Sequence, residues 1–177
     1  MAVEHVKGVA ITNRDATPKV RNTTGEGGVG KVLQINDYVT VPASASVDST
    51  FQLVRLPSNA KVKSIIFESE AMGAGKFDIG AYYATGGESA GASALLAAAA
   101  IDQDFFATAI DCASAVTPTE VSNESGTNTL DKRNYPLWKM LGLASDPGGY
   151  IDICATVVTT AVTTGAAKLG VRVSFVE

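Results

Sequence analysis

The residues most suggestive of chemistry form a glycine-rich segment near the N-terminus. Residues 25–31 read GEGGVGK, the GxxxxGK spacing of a phosphate-binding loop. Such a loop needs a buried strand before it, a helix after it, and Ser or Thr beside the lysine to hold Mg²⁺. Here Val32 follows Lys31 and a strand pattern comes next, so no helix N-terminus faces a phosphate. We therefore interpret the segment as a hinge into the first strand.

Other candidate catalytic groups are few. Asp102 and Asp104 could be an acid–base couple, but that chemistry needs two carboxylates across a pocket with separated pKa values. Capping of a helix start explains the pair more simply. The single histidine, His5, lies beside the terminus, where a preorganised triad or metal site is rare. Cys112 and Cys154 lack metal-type spacing and are predicted to be small buried residues. We expect no enzyme activity, no cofactor and no metal.

Two aromatic pairs are the remaining candidates for a binding site. Trp138 with Tyr135, and Tyr82 with Tyr83, could present flat rings to a sugar. Packing in the core or at a subunit interface is the alternative that we favour, because large aromatic side chains dominate both environments.

Charge is distributed unevenly along the chain. Residues 1–31 carry five basic and three acidic side chains, a net +2, whereas the remainder carries nine basic and fifteen acidic, a net −6. An acidic body argues against nucleic acid, which binds basic surfaces. The sequence has neither a signal pattern nor an apolar run of about 20 residues, so we expect cytosolic synthesis and no membrane partner. The candidate contacts to an acidic partner surface are Lys7, Arg14, Lys19 and Arg21.

The elements that must position these residues are mostly strands. Residues 51–84 contain three apolar runs cut by the turn signals at 57–59 and 73–75, which predicts an antiparallel meander. Residues 159–167 read as the tip of a hairpin between the last two strands. The predicted core residues are Phe77, Ile79, Ile151, Ile153, Val171, Val173 and Phe175. The predicted strands are 32–41, 50–56, 61–69, 76–84, 150–159 and 168–176.

Two short helices are expected in an insertion between the fourth and fifth of these strands. The first starts at an Asp102 N-cap and places Phe106 and Ile110 on one face. The second is PLWKMLG, from Pro136 to Gly142, with Leu137, Trp138 and Leu141 on its buried side. Residues 94–100 are a further, weaker helix candidate because the run has no polar face. We expect residues 117–134 to be polar loop.

The whole chain is predicted to be all-β, a jelly-roll-like antiparallel β-sandwich. Residues 31–177 are expected to form this one domain. Residues 1–30 form a polar, Gly-rich arm that is flexible or bound to a partner, because they have too little apolar surface for a core of their own. Residues 6–11 alternate in the manner of an edge strand.

Four separated motifs carry a resemblance to a known group of proteins. They are the R-L-P turn in FQLVRLPS, the D-I-G-x-Y strand, the D-x-D-x-F-A segment in DQDFFATA, and PLWKMLGLASDPGG. In this order they resemble small virion proteins of tailed bacteriophages, some of which coat the outside of the head. The match spans residues 50–176, leaves the arm outside, and brings no catalytic residues with it.

The resemblance implies a structural role in the virion. It suggests a capsid decoration (cement) protein that binds the major capsid protein and copies of itself, as a homotrimer, after assembly in the bacterial cytoplasm. We expect no small-molecule substrate. The alternatives are a neck, tail or fibre-associated virion protein, or a sugar-binding host-attachment module.

Overall fold

The computed structural model describes residues 16–18, 20, 31–84, 100–164 and 166–177. His5 and the four basic residues predicted to be contacts, Lys7, Arg14, Lys19 and Arg21, lie outside these ranges. The same holds for the edge strand expected at 6–11 and for nearly all of the alanine-rich run. The predictions for the arm therefore remain predictions.

The described chain forms eight strands, one short α-helix and one 3₁₀ turn. The helix α1 covers Leu137–Met140, and the 3₁₀ turn covers Lys132–Asn134. The strands are β1 (Val32–Val41), β2 (Thr50–Pro57), β3 (Lys61–Ser69), β4 (Lys76–Tyr83), β5 (Ala100–Asp111), β6 (Val116–Glu120), β7 (Tyr150–Val158) and β8 (Ala167–Val176).

The strands form two four-stranded antiparallel sheets. Sheet A has the order β1-β8-β3-β6, and sheet B has the order β2-β7-β4-β5. One cluster of buried side chains takes members from both sheets, so the sheets pack face to face. The prediction of an all-β sandwich is confirmed.

The connections between strands differ from the sequence prediction. β2, β3 and β4 alternate between sheets B, A and B, so the predicted meander is wrong. β7 and β8 also lie in different sheets, so residues 159–167 are not a hairpin tip. Period-two alternation with turn residues indicates where strands begin and end. It does not distinguish a hairpin from a corner that takes the chain across the sandwich.

The helix predicted from Asp102 is wrong, because this segment is strand β5. The apparent helical spacing arises from irregular pairing, in which the register between β4 and β5 shifts at three places. Ala109, with φ of 51°, lies in the left-handed region. Phe105 and Phe106 are consecutive and both buried, so this segment lacks the alternation that indicates a half-buried strand.

The region after β5 contains one missed strand and one confirmed helix. β6, with sequence VTPTE, is short and mostly exposed, and four of its five residues fall in the segment 117–134 that was predicted to be loop. The helix predicted after Pro136 exists as α1, with Pro136 at its N-cap. Leu137 is fully buried, whereas Trp138 and Leu141 are half-buried against the core.

The core lies between the sheets and follows the predicted alternation. All seven predicted core side chains are buried, and none is more than 4% exposed. β7 is enclosed on both faces, because its residues 151–157 are all buried. Further fully buried large side chains include Phe67, Phe106, Leu56, Ile65 and Met140.

Candidate functional site

The acidic pair is brought together on β5. Burial is the main cause that raises the pKa of Asp102, followed by the hydrogen bond and the negative charge of Asp104, while Lys132 opposes the shift. The pair lies in a strand, so the interpretation as a helix cap is wrong. The two carboxyl groups share a hydrogen bond and do not face each other across a cleft, which is not the arrangement of a glycosidase couple.

We expect Asp102→Asn to stabilise the protein at neutral pH. A raised pKa means that Asp102 holds its proton more tightly in the folded chain than in the unfolded chain, where the pKa of an aspartate is about 3.9. The ionised Asp102 carboxylate therefore destabilises the folded protein fully at pH 7. This destabilisation disappears as the pH falls through the raised pKa towards about 4. Because Asp102 is partly exposed, we expect a gain of only about 0.5–1 kcal/mol.

Urea unfolding at pH 7 and pH 4.5 measures this effect. The gain from Asp102→Asn should shrink at the lower pH, whereas the exposed control Asp48→Asn should change stability little at either pH. A loss of stability at pH 7 would contradict the interpretation.

The D-I-G motif of β4 meets the acidic segment of β5 at close range. A Cβ on Gly80 would lie 2.1 Å from the backbone oxygen of Gln103, so only glycine fits. Asp78 fixes the bulge beside it, because its carboxylate accepts hydrogen bonds from the backbone N–H of Ala109 (2.8 Å) and from Gln103 Nε2 (3.2 Å). The D-I-G motif of β4 and the D-x-D-x-F-A segment of β5 are therefore in direct contact.

A second internal contact joins the R-L-P motif to β7. Arg55 donates two hydrogen bonds to the fully buried Asp152, from Nε at 2.7 Å and from Nη2 at 2.9 Å. Gln52 Nε2 donates a third to the same carboxylate at 2.6 Å. The bond to Asp152 is also the main cause that raises the pKa of Arg55. The bidentate geometry fixes the pairing of β2 with β7.

Ser58, at the end of the R-L-P motif, forms hydrogen bonds with helix α1 and with the segment that follows it. Asp146 accepts hydrogen bonds from Ser58 Oγ at 2.6 Å and from the Gly148 backbone at 2.9 Å. These bonds, Ser58 first, lower the pKa of Asp146. The Ser58 carbonyl accepts the N–H of Trp138 at 3.0 Å. The four motifs therefore contact each other in two pairs, D-I-G with the acidic segment of β5, and R-L-P with the segment around Asp146.

One member of each aromatic pair, and both cysteines, pack inward, whereas Tyr83 and Tyr135 are exposed. Tyr82 is 1% exposed and shares a hydrogen bond of 2.6 Å with Thr156, and burial raises its pKa. Trp138 packs on the core, so neither pair presents two exposed rings. Cys112 and Cys154 are buried free thiols whose pKa values burial raises, which confirms the prediction for them.

The remaining chemical candidates gain no support from the described ranges. Lys31 directly precedes β1, while residues 25–30 lie outside the described ranges, so the interpretation as a hinge stays a prediction. Within the described part of the chain, His, Cys, Asp and Glu do not gather in a group of three that could hold a metal ion. In the same part, no helix has the length and apolar character needed to cross a membrane.

A groove lies on the outer face of sheet A. Tyr38, Gly170 and Glu68 are aligned across β1, β8 and β3, and the missing glycine side chain leaves a gap between ring and carboxylate. Two cavities of about 390 and 210 Å³ share these three residues. The groove carries both acidic and basic side chains, and its shape was not evident from the sequence because β8 joins strands that are distant in the chain.

Comparison with solved structures gives a likeness in fold. No family model and no curated protein matches the chain. The fold is similar to a chain of a solved structure described as "Cyanophage Pam1 capsid asymmetric unit", with a TM-score of 0.52 and 14% sequence identity. The alignment covers 92% of this chain and 96% of that chain. At this identity the likeness shows a shared fold over nearly the whole of both chains.

Proposed function

We propose that this protein is a structural component of a bacteriophage virion, and specifically a decoration (cement) protein on the outside of the head. The observation that carries the proposal is the fold similarity to a chain of a phage capsid asymmetric unit, which extends over 92% of this chain. The four motifs shared with small phage virion proteins support it independently.

The strand order supports a jelly roll as the topology of the sandwich. The orders β1-β8-β3-β6 and β2-β7-β4-β5 place successive strands in alternate sheets along most of the chain. Eight antiparallel strands in two such sheets fit the two Greek keys of a jelly roll.

We propose a structural and not a catalytic role. Polar residues of the four motifs bond with each other inside the fold, as Ser58 does with Asp146 and Asp78 with Gln103. Their hydrogen-bonding capacity is directed at holding strands and turns. This arrangement suits a protein that must remain rigid on a shell.

We propose that the protein acts as a homotrimer that bridges capsomers of the major capsid protein. Coat-bridging proteins of this kind commonly occupy three-fold positions of a capsid lattice, and closed rotational symmetry avoids open-ended assembly. Lys7, Arg14, Lys19 and Arg21 of the arm are the proposed contacts to acidic groups of the shell or of a neighbouring subunit. Each such contact is expected to contribute about 0.5–1 kcal/mol when partly exposed.

Binding of the purified protein to heads that lack it tests the proposal. We expect saturable binding that weakens with salt, and weaker binding with less salt dependence after deletion of residues 2–28. Binding to purified tails instead of heads would favour the neck or tail alternative. Failure to bind either particle would contradict the proposed function. Undiminished affinity with unchanged salt dependence after the deletion would remove only the role of the arm.

A further inference from the structure

Strand β1 leaves one edge of sheet A open. β1 is the terminal strand in the order of sheet A, and its described partner is β8 alone. The two strands pair over ten consecutive positions without a register shift. A terminal strand exposes a row of backbone N–H and C=O groups that can pair with another chain.

The other three terminal strands carry features that hinder such pairing. β2 has a register shift after Gln52 and ends at Pro57. β5 is irregular at three places, with Ala109 in the left-handed region. β6 is only five residues long and contains Pro118. Bulges, prolines and short length are the usual protections of sheet edges.

β1 has none of these protections and exposes apolar side chains instead. Its sequence VLQINDYVTV contains no proline and no basic residue. Its one charged residue, Asp37, accepts the backbone N–H of Tyr38 at 2.8 Å. Val32 and Tyr38 are 66% and 61% exposed. A long, regular and apolar open edge is expected to have an occupant in the assembled state.

We propose that residues 6–11 of a neighbouring copy add to the free edge of β1 as an additional strand. This segment, VKGVAI, has strand-like alternation and β-branched residues. Val32 and Tyr38 are exposed in the described part of the chain, which leaves this edge accessible to a segment of a neighbouring copy. Strand addition provides affinity through main-chain hydrogen bonds.

The exchange has a consequence for assembly. An arm that leaves one copy and pairs with the next makes a head-to-tail contact, which closes into a ring when the rotation allows. The inference thus deepens the proposed function and rests on it only in requiring that copies associate. The net charge of +2 on residues 1–31 complements the net −6 of the remainder and favours the approach of the arm.

Hydrogen exchange of the β1 amides in the full chain, measured over a range of protein concentrations, tests the inference. We expect exchange of the free-edge amides to slow by about tenfold or more as copies associate. Val9→Pro should abolish this protection because proline cannot donate to a strand ladder. The matched control Val9→Thr should retain it, because threonine also favours strands.

Three results would overturn the inference. Protection that does not depend on concentration would mean that the chain's own arm covers β1. Protection that survives Val9→Pro would mean another occupant, such as β1 of a second copy. No protection at any concentration would mean that the edge stays open. If binding to heads persists in any of these cases, the exchange of arms fails while the proposed function stands.

Discussion

Gly80→Ala is expected to destabilise the protein by about 3 kcal/mol or more, the upper end of the range for overpacking. The added Cβ would lie 2.1 Å from the backbone oxygen of Gln103 and 2.3 Å from that of Asp102. Because these are backbone atoms of β5, no change of rotamer can relieve the overlap. Strand β5 would have to move away from β4, which would also weaken the bonds of Asp78 to the bulge.

Gly170→Ala is the matched control for this substitution. Gly170 is also a strand glycine, yet its added Cβ would lie 3.4 Å from its nearest neighbours, which is close to ordinary contact. We expect Gly170→Ala to change the free energy of unfolding by less than about 1 kcal/mol, because alanine also restricts the unfolded chain. Urea unfolding of both variants measures the difference. Equal stability of the two variants would show that β5 does not approach Gly80 so closely.

Phe175→Ala is expected to cost about 3–5 kcal/mol, the usual range for a buried phenylalanine. Phe175 is 4% exposed and lies opposite Leu33 of β1 and Val62 of β3. Its removal would leave a cavity on the core side of sheet A, near one end of strand β8. For a chain of this size the melting temperature should fall by roughly 6–20 °C.

Ser174→Ala provides the control for Phe175. Ser174 is the adjacent residue on the outer face of the same strand and is only partly buried. We expect the melting temperature of the Ser174→Ala variant to stay close to that of the unchanged protein. If Phe175→Ala melted at the same temperature as this control, Phe175 would not belong to the core.

The regular strands were predictable because alternation and turn residues agree in them. β1 and β3 have the predicted bounds, and four other strands differ by one residue at an end. Pro57 ends β2 as expected, because proline cannot continue a ladder. The seven predicted core residues are buried because a period of two directs alternate side chains inward.

The irregular strands and the connections could not be predicted in this way. In β5 the bulges move Phe105 and Phe106 into the core together, so the pattern in the sequence resembles a helix. In β6 the short polar sequence contains Pro118 and has no buried face. Pairing of β1 with β8, and of β2 with β7, joins residues about 100 or more positions apart, which local pattern does not encode.

The polar junctions had a partial signal in the sequence. Arg55 and Asp152 stand in apolar strands, where a charged residue needs a partner, but the sequence does not say which one. A glycine within a strand pattern, such as Gly80, is a signal of a close backbone approach, but it does not say which strand approaches. Tyr38, Gly170 and Glu68 had no such signal, because the groove arises from three strands brought together by the fold.

The number of copies on purified, tail-free heads tests the proposed role most directly. Quantitative mass spectrometry against the major capsid protein provides this number. A decoration protein that bridges capsomers should be present in hundreds of copies per head, in a fixed ratio to the major capsid protein. A handful of copies, or loss of the protein together with the tails, would contradict decoration of the head.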